Sequence, residues 1–201
     1  MKTKTTTKTI KLKQTIQLKE HKLLIAYVVG NEDMRQATKD NLLKTFTFLY
    51  YTGIRLNEIQ DLTFGDIREL LQNGELIINV QKTKTQRKIF LSKDFKRDIE
   101  KYFDIENPKY LGDTRLILKQ GKAVLNQGIH ITTFIQLVNK TIQNVLNENF
   151  SSHSYRRGLI TEMAKNQVNP KFISKFIGHS STQTTMTYIT PTDDDLRLLV
   201  R

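Results

Sequence analysis

Between Asp40 and Tyr51 the chain carries Leu42, Leu43, Phe46, Phe48, Leu49 and Tyr50, more large apolar side chains than one face of a surface helix can hold. The stretch reads as a helix that is largely buried, with Gly53 ending it, and such a helix needs other elements packed around it. The flanking sequence supplies them. Lys19–Val29 reads as a helix with Leu23, Leu24, Ala26 and Tyr27 on its apolar side, Asn57–Leu62 as a short helix, and Asp94–Ile105 as another. Thr132–Leu146 has Phe134, Ile135, Leu137, Val138, Ile142 and Val145 along one face. Ser151 or Ser152 can cap a following helix that holds His153, Arg156, Leu159, Ile160 and Met163. Asn169-Pro170 makes a cap and first turn for Lys171–Ile177, Gly178 closes that element, and a last helix is expected over Thr182–Tyr188. Glu75–Val80 and Lys88–Leu91 look like strands, by their branched and aromatic content, with a polar turn between them. Asn107–Gly128 is broken by Pro108, Gly112, Gly121 and Gly128 and reads as loops with a short strand around Arg115–Leu118. The fold class is therefore expected to be mainly α with a small antiparallel β-sheet.

The 201 residues suffice for one domain with a short appendage, and we divide them into a basic N-terminal arm, 1–17, and a domain with its C-terminal tail, 18–201. The arm is rich in Lys and Thr and is suited to lie along phosphates; a plain disordered terminus is the alternative. The tail, Asp193–Val200, is an acidic-capped amphipathic segment that can pack at home or on a neighbouring subunit. A net charge of +12 repels cationic partners and attracts a polyanion such as nucleic acid, although solubility alone also accounts for it. The chain has no cysteine, which excludes a disulfide scaffold and a thiol nucleophile. Four histidines without a His-Glu-x-x-His or Cys/His pattern give no built-in metal site, and no cofactor is expected. No apolar run of bilayer length and no leader is seen, so a cytoplasmic location is expected, on the nucleoid if the source is prokaryotic, with no membrane partner.

Several residues form a set with chemical meaning. A phosphodiester attacked by an alcohol gathers negative charge on its nonbridging oxygens, which fixed cations and donors must meet. Arg55 and Arg156 can do so as permanently charged planar forks, though each taken singly reads as a surface or phosphate-positioning residue. Tyr188 is a nucleophile candidate: a phenol pKa near 10 leaves about one molecule in a thousand ionised at neutral pH, about 4 kcal/mol uphill, which nearby cations and an imidazole can offset. His153, three residues before Arg156 and so on the same helix face, is the better candidate for taking the phenol proton, and His179 for donating to the scissile phosphate. Their structural alternatives are a helix-terminal cap for His153 and a pocket filler behind Gly178 for His179. Lys82, in a turn that also holds Lys84 and precedes Lys88, is the candidate general acid for the departing 5′ oxygen; a phosphate contact is its plainer reading. Glu58, three residues after Arg55, can orient that guanidinium or a histidine, or stand as a solvated carboxylate.

In order along the chain, these residues resemble the catalytic domain of the tyrosine recombinase, or phage-type integrase, family. The resemblance runs from about Leu18 to Tyr188. Thr52-Gly-Ile-Arg55-Leu-Asn-Glu58-Ile, followed by Leu62 and Asp66-Ile67, is similar to the first arginine box. Val80-Gln-Lys82-Thr-Lys-Thr-Gln-Arg87-Lys-Ile-Phe-Leu91 matches the hairpin lysine, with Lys82 five residues before Arg87. His153-Ser-Tyr-Arg156, Ile177-Gly-His179-Ser-Ser and Thr184-Thr-Met-Thr-Tyr188 match the second box, the later histidine and the nucleophile, with nine residues from His179 to Tyr188. Each fragment alone is weak; the ordered set is specific.

The resemblance implies the tyrosine recombinase catalytic fold and a site of Arg55, Lys82, His153, Arg156, His179 and Tyr188, with Glu58 behind Arg55. It implies attack by Tyr188 on double-stranded DNA, a 3′-phosphotyrosyl link, a free 5′ hydroxyl, and rejoining without ATP or an essential divalent metal. It also implies a homotetramer on DNA that passes through a Holliday junction. Family members usually carry a helical core-binding domain ahead of the catalytic one, whereas only about 17 residues precede the matched region here. Such a form is expected to need an accessory partner protein, to work weakly on its own, or to use its basic arm as a reduced clamp. The alternatives are topoisomerase IB-like relaxation and a non-catalytic DNA-binding accessory protein.

Overall fold

The computed structural model describes residues 14–80, 85–119 and 127–189. The arm to residue 13, Lys82 and Lys84, and the tail from Asp193 lie outside the described residues.

The apolar run around Phe46 forms α2 (Gln36–Thr52), and every residue from Asn41 to Leu49 is buried. Several of its polar members are satisfied locally or hold neighbours, whereas the buried Thr47 hydroxyl has no partner among the described residues. The Thr45 and Thr52 hydroxyls donate to the Asn41 and Phe48 carbonyls, both at 2.6 Å, and the Asn41 side chain pairs with both backbone groups of Leu118. Around α2 pack α1 (Leu18–Gly30), α5 (Lys93–Tyr102) and α7 (Ser152–Lys165), while α6 (Ile131–Val145) touches α1, α7 and α3 (Leu56–Asp61). Phe48 meets Phe95 and Phe103, and Phe46 meets Tyr155, so the core is aromatic at its centre.

The two strands β1 (Glu75–Val80) and β2 (Thr85–Phe90) pair antiparallel, from Glu75 opposite Phe90 to Val80 opposite Thr85. Leu76, Ile78 and Val80 alternate inward. β2 starts earlier than its apolar content indicates, which brings Arg87 into the ladder, pointing inward. Three short elements finish the described chain: α8 (Pro170–Ile177), α9 (Thr182–Met186) and the turn beyond α9. They belong to a separate small apolar cluster of Ile160, Ile173 and Ile177, with Leu159, Met163, Phe176, Tyr188 and Ile189 packed on it. Burying each isoleucine is worth about 1.5–3 kcal/mol, and this cluster ties the end of the described chain to α7.

The mainly helical architecture with one two-stranded antiparallel sheet agrees with the sequence reading; several details do not. The buried side of α1 is His21, Leu24 and Val28, whereas Leu23, Ala26 and Tyr27 face outward, because α1 turns His21 onto Tyr50 at a ring separation of 4.1 Å. A helix absent from the sequence reading, α4 (Phe64–Asn73), follows Thr63; its signal was the box in which Thr63 and Asp66 cap one another. Arg115–Leu118 makes isolated bridges to Thr63 and Gly128 and no full strand. α5 stops at Tyr102, and α9 stops at Met186, leaving Tyr188 in a turn. Residues 14–17, grouped with the arm by sequence, join the domain: Ile16 is buried and its N–H donates to Ser154 O at 2.9 Å. Gly158 makes this possible, since a Cβ there would overlap the Ile16 carbonyl.

Candidate active site

α2 ends in a left-handed turn at Gly53, and two residues later Arg55 opens α3. Glu58, in the first turn of α3, accepts from the Arg55 backbone N–H at 3.1 Å and from its Nη1 at 2.8 Å. The carboxylate is buried and the guanidinium only partly so, which leaves Arg55 anchored at its base and open at its tip. The orienting contact expected of Glu58 is therefore present.

α7 contributes the facing wall. Ser151 is its cap residue, and the Ser152 N–H donates to Asn139 Oδ1 at 2.8 Å, fixing the first turn. His153 and Arg156, one turn apart, line the same concavity as Arg55, with Asn139 and Ile135 from α6. Arg156 is buried; its Nη1 donates to Gly53 O at 2.8 Å, its Nε faces His179 Nε2 at 3.4 Å, and its Nη2 has no partner among the described residues. Burial, with Arg55 and Arg87 adding to it, pushes the Arg156 pKa down to about 9, against the pull of Glu58 and Tyr188.

Asn169 caps α8 by accepting from the Lys171 N–H, and Gly178, at φ +76°, turns the chain so that His179 comes back toward α7. A guanidinium has donors only, so in this contact His179 Nε2 is the acceptor and Nδ1 carries the proton, donating to Thr185 Oγ1 at 2.8 Å. Burial, then Arg156, Arg55 and Arg87, hold the His179 pKa down to about 4, so the ring is neutral at pH 7. To donate from Nε2 to a phosphate, as the sequence reading expects, the ring needs the other tautomer or a shift off Arg156.

Tyr188 sits half-buried past α9, its ring stacked on His179 with centroids 5.8 Å apart. The Arg157 guanidinium lies 5.4 Å over the Tyr188 ring on its own account. Arg55, His153, Arg156, His179 and Tyr188 are thus drawn together from four separate stretches of chain. Lys82, the hairpin candidate, lies outside the described residues.

A model of the phage integrase family matches residues 14–194. The chain belongs to that family. Among curated members, a tyrosine recombinase of Thermosipho africanus is 24% identical over 173 residues, covering 86% of this chain and 55% of its own length. The tyrosine recombinase XerC of Lactobacillus leichmannii is 27% identical over 145 residues, covering 69% and 46%. The chain therefore spans about half the length of these curated relatives. Solved structures share the fold. The XerA recombinase aligns at TM-score 0.70 and 19% identity, over 92% of this chain and 63% of that one. The Tn1549 transposon integrase, solved with circular intermediate DNA, aligns at TM-score 0.67 and 22% identity, over 93% and 65%.

Three residues that touch or line the candidate site escaped the sequence reading. Arg157 follows Arg156 directly and looks like a second copy of the same charge; only its place over Tyr188 distinguishes it. Thr185 lies in a run of threonines, and Asn139 in a helix read only for its apolar face; neither carries a local signal.

Proposed function

We propose that this chain is the catalytic part of a site-specific recombinase that cuts and rejoins duplex DNA through a 3′-phosphotyrosyl intermediate. The observation that carries the reading is the Arg156–His179–Tyr188 contact series, with Arg55 held by Glu58 across the same concavity. Arg55 and Arg156 meet the nonbridging oxygens of the scissile phosphate, where charge grows as the phenol oxygen adds to phosphorus. The Tyr188 O–H bond breaks as its oxygen bonds to phosphorus, and the proton passes to an imidazole; neutral His179, already stacked on the ring, and His153 are the two acceptors available. The 5′ oxygen leaves with a proton, for which Lys82 is the donor we assign. Reversal, with a different 5′ hydroxyl attacking the phosphotyrosyl bond, joins new strands and needs no external energy source.

The net charge of +12 supports a duplex DNA partner. The proposed reaction takes place in the cytoplasm, with assembly into a tetramer during strand exchange and help from an accessory protein or the basic arm. Among the described residues no helix is long and apolar enough to cross a membrane.

The test is a nicked duplex that traps the covalent adduct, resolved under denaturing conditions. Wild-type protein forms an adduct and Tyr188→Phe forms none while still binding DNA. An adduct that persists in Tyr188→Phe refutes the assignment of the nucleophile, and DNA binding without any wild-type adduct across candidate sites marks a non-catalytic binding protein instead.

A further inference from the structure

Arg87 has no part in the reaction above, yet its guanidinium is buried and donates in two directions. Nη1 donates to Ile177 O at 2.6 Å and to Phe176 O at 3.3 Å, and Nη2 donates to Thr52 O at 3.1 Å. All three acceptors lie in the last turn of a helix. Thr52 is the final residue of α2, and Phe176 and Ile177 are the last two of α8. Helix C-terminal carbonyls lack partners inside their own helix and carry the negative end of the dipole, so one cation from β2 serves as a shared cap for both helices.

Each of these two helices leads directly into the catalytic machinery. Immediately after Thr52 comes Gly53, whose carbonyl holds Arg156, and then Arg55; two residues after Ile177 comes His179. The stem of Arg87 passes close to Gly178, where an added Cβ would lie 2.9 Å from Arg87 Cδ and the backbone has φ +76°. Placing a cation here works against its own charge: burial pushes the Arg87 pKa down to about 10, with Glu58 drawing it up and Arg55 down. A buried charge of this kind is weak evidence of a stabilising role, and its geometry points elsewhere.

We propose that Arg87 is a positioning residue: by capping α2 and α8 together it fixes the spacing between the loop that carries Arg55 and the turn that carries His179. The inference rests on the proposed reaction. A planar fork is required, since it reaches carbonyls of two helices at set angles; a lysine ammonium on a flexible stem cannot hold both.

The experiment compares wild type, Arg87→Lys and Arg87→Met on the adduct-trapping duplex, in buffer where urea melts show each protein folded. Both variants are expected to bind DNA within about threefold of wild type and to form adduct at least about tenfold more slowly. Two readouts separate positioning from bulk stability. Placing Arg87→Met in a His179→Ala background should slow the reaction by less than about threefold more, because the placement of the His179 turn that Arg87 sets no longer matters once the imidazole is gone. In Arg87→Lys, which keeps the charge that helps hold the His179 pKa down, the His179 imidazole, followed by NMR, should still titrate above its wild-type midpoint. Wild-type rates in Arg87→Lys, additive losses with His179→Ala, or an unmoved His179 titration would each overturn the proposal. Absence of adduct from wild type refutes the proposed reaction instead, so the two failures are distinguishable. If Arg87→Met does not fold, Arg87→Lys, which keeps the charge, decides the matter alone.

Discussion

Replacing Arg156 by methionine should make the free protein more stable while destroying its activity. Arg156 is 4% exposed, and burial together with Arg55 and Arg87 brings its pKa from the ordinary value down to about 9. At about 1.4 kcal/mol for each pH unit, that disfavours the charged form by on the order of 4–5 kcal/mol. Its Nη2 adds a buried donor without a partner among the described residues. Methionine removes these penalties and keeps most of the stem's packing. Against that, Gly53 O loses the bond from Nη1, and an unpaired buried carbonyl costs about 1–3 kcal/mol. The difference is a net stabilisation of about 1–4 kcal/mol, in line with what apolar replacements of buried charges commonly give. Urea titration at pH 7.5 measures it: the midpoint rises with the slope unchanged. Sulfate should raise the wild-type midpoint more than that of Arg156→Met, because an anion neutralises only the former. Adduct formation on the trapping duplex should fall by at least about a hundredfold. A destabilisation of more than about 1 kcal/mol at constant slope would refute the reasoning, for it would mean that the carbonyl bond outweighs the charge burial.

The remaining predictions concern the frame around the site. His21, stacked on Tyr50 and facing the Tyr155 hydroxyl at 3.3 Å, has its pKa lowered by burial to about 4 against the pull of Asp98. Between that value and the ordinary one the unfolded chain binds the extra proton, so the stability held by neutral His21 is complete above the ordinary value and is lost as pH falls toward 4. Wild type should lose about 2 kcal/mol more than His21→Phe between pH 7 and pH 4.5, and equal losses in urea titrations would sink the idea. Gly158→Ala should cost at least about 2 kcal/mol by lifting buried Ile16 off α7, and an unchanged urea midpoint would show that residues 14–17 are not part of the fold. Glu58→Gln keeps a partner for the Arg55 backbone but weakens the hold on its guanidinium; adduct formation should drop about tenfold with little change in DNA affinity, and an equal drop in both would assign Arg55 to binding alone.

Much of the fold was legible because its signals are local. The run of apolar residues in α2, the Asn169-Pro170 start of α8 and the Gly178 stop are each decided within a few neighbouring positions, and the structure has all three. The face of α1 was not legible, since Leu23 and Tyr27 look more apolar than His21 until the Tyr50 ring is known to wait opposite it. The site divides in the same way. Arg55, Arg156, His179 and Tyr188 lie in short motifs because chemistry on one phosphate demands particular residue types at particular helix ends. Arg87 also stood in a quoted motif, but only as a spacing mark for Lys82: its acceptors are 35 and 90 residues away in sequence, and carbonyls leave no trace in a side-chain pattern.

The same limit explains why charge counting along the chain understates this site. A net +12 spread over 201 residues is compatible with simple solubility. Gathered by the fold, three guanidinium groups act on one another and on His179, and among the described residues Glu58 is the only carboxylate that shifts Arg156. Two of the three are held by main-chain carbonyls, which orient a cation without cancelling its charge. Had these arginines been paired with carboxylates, each would be more comfortable in the free protein and weaker toward a phosphate. Neutral carbonyl acceptors therefore preserve the field that the proposed reaction needs, at the expense of stability, and that is the opposition the Arg156→Met experiment measures.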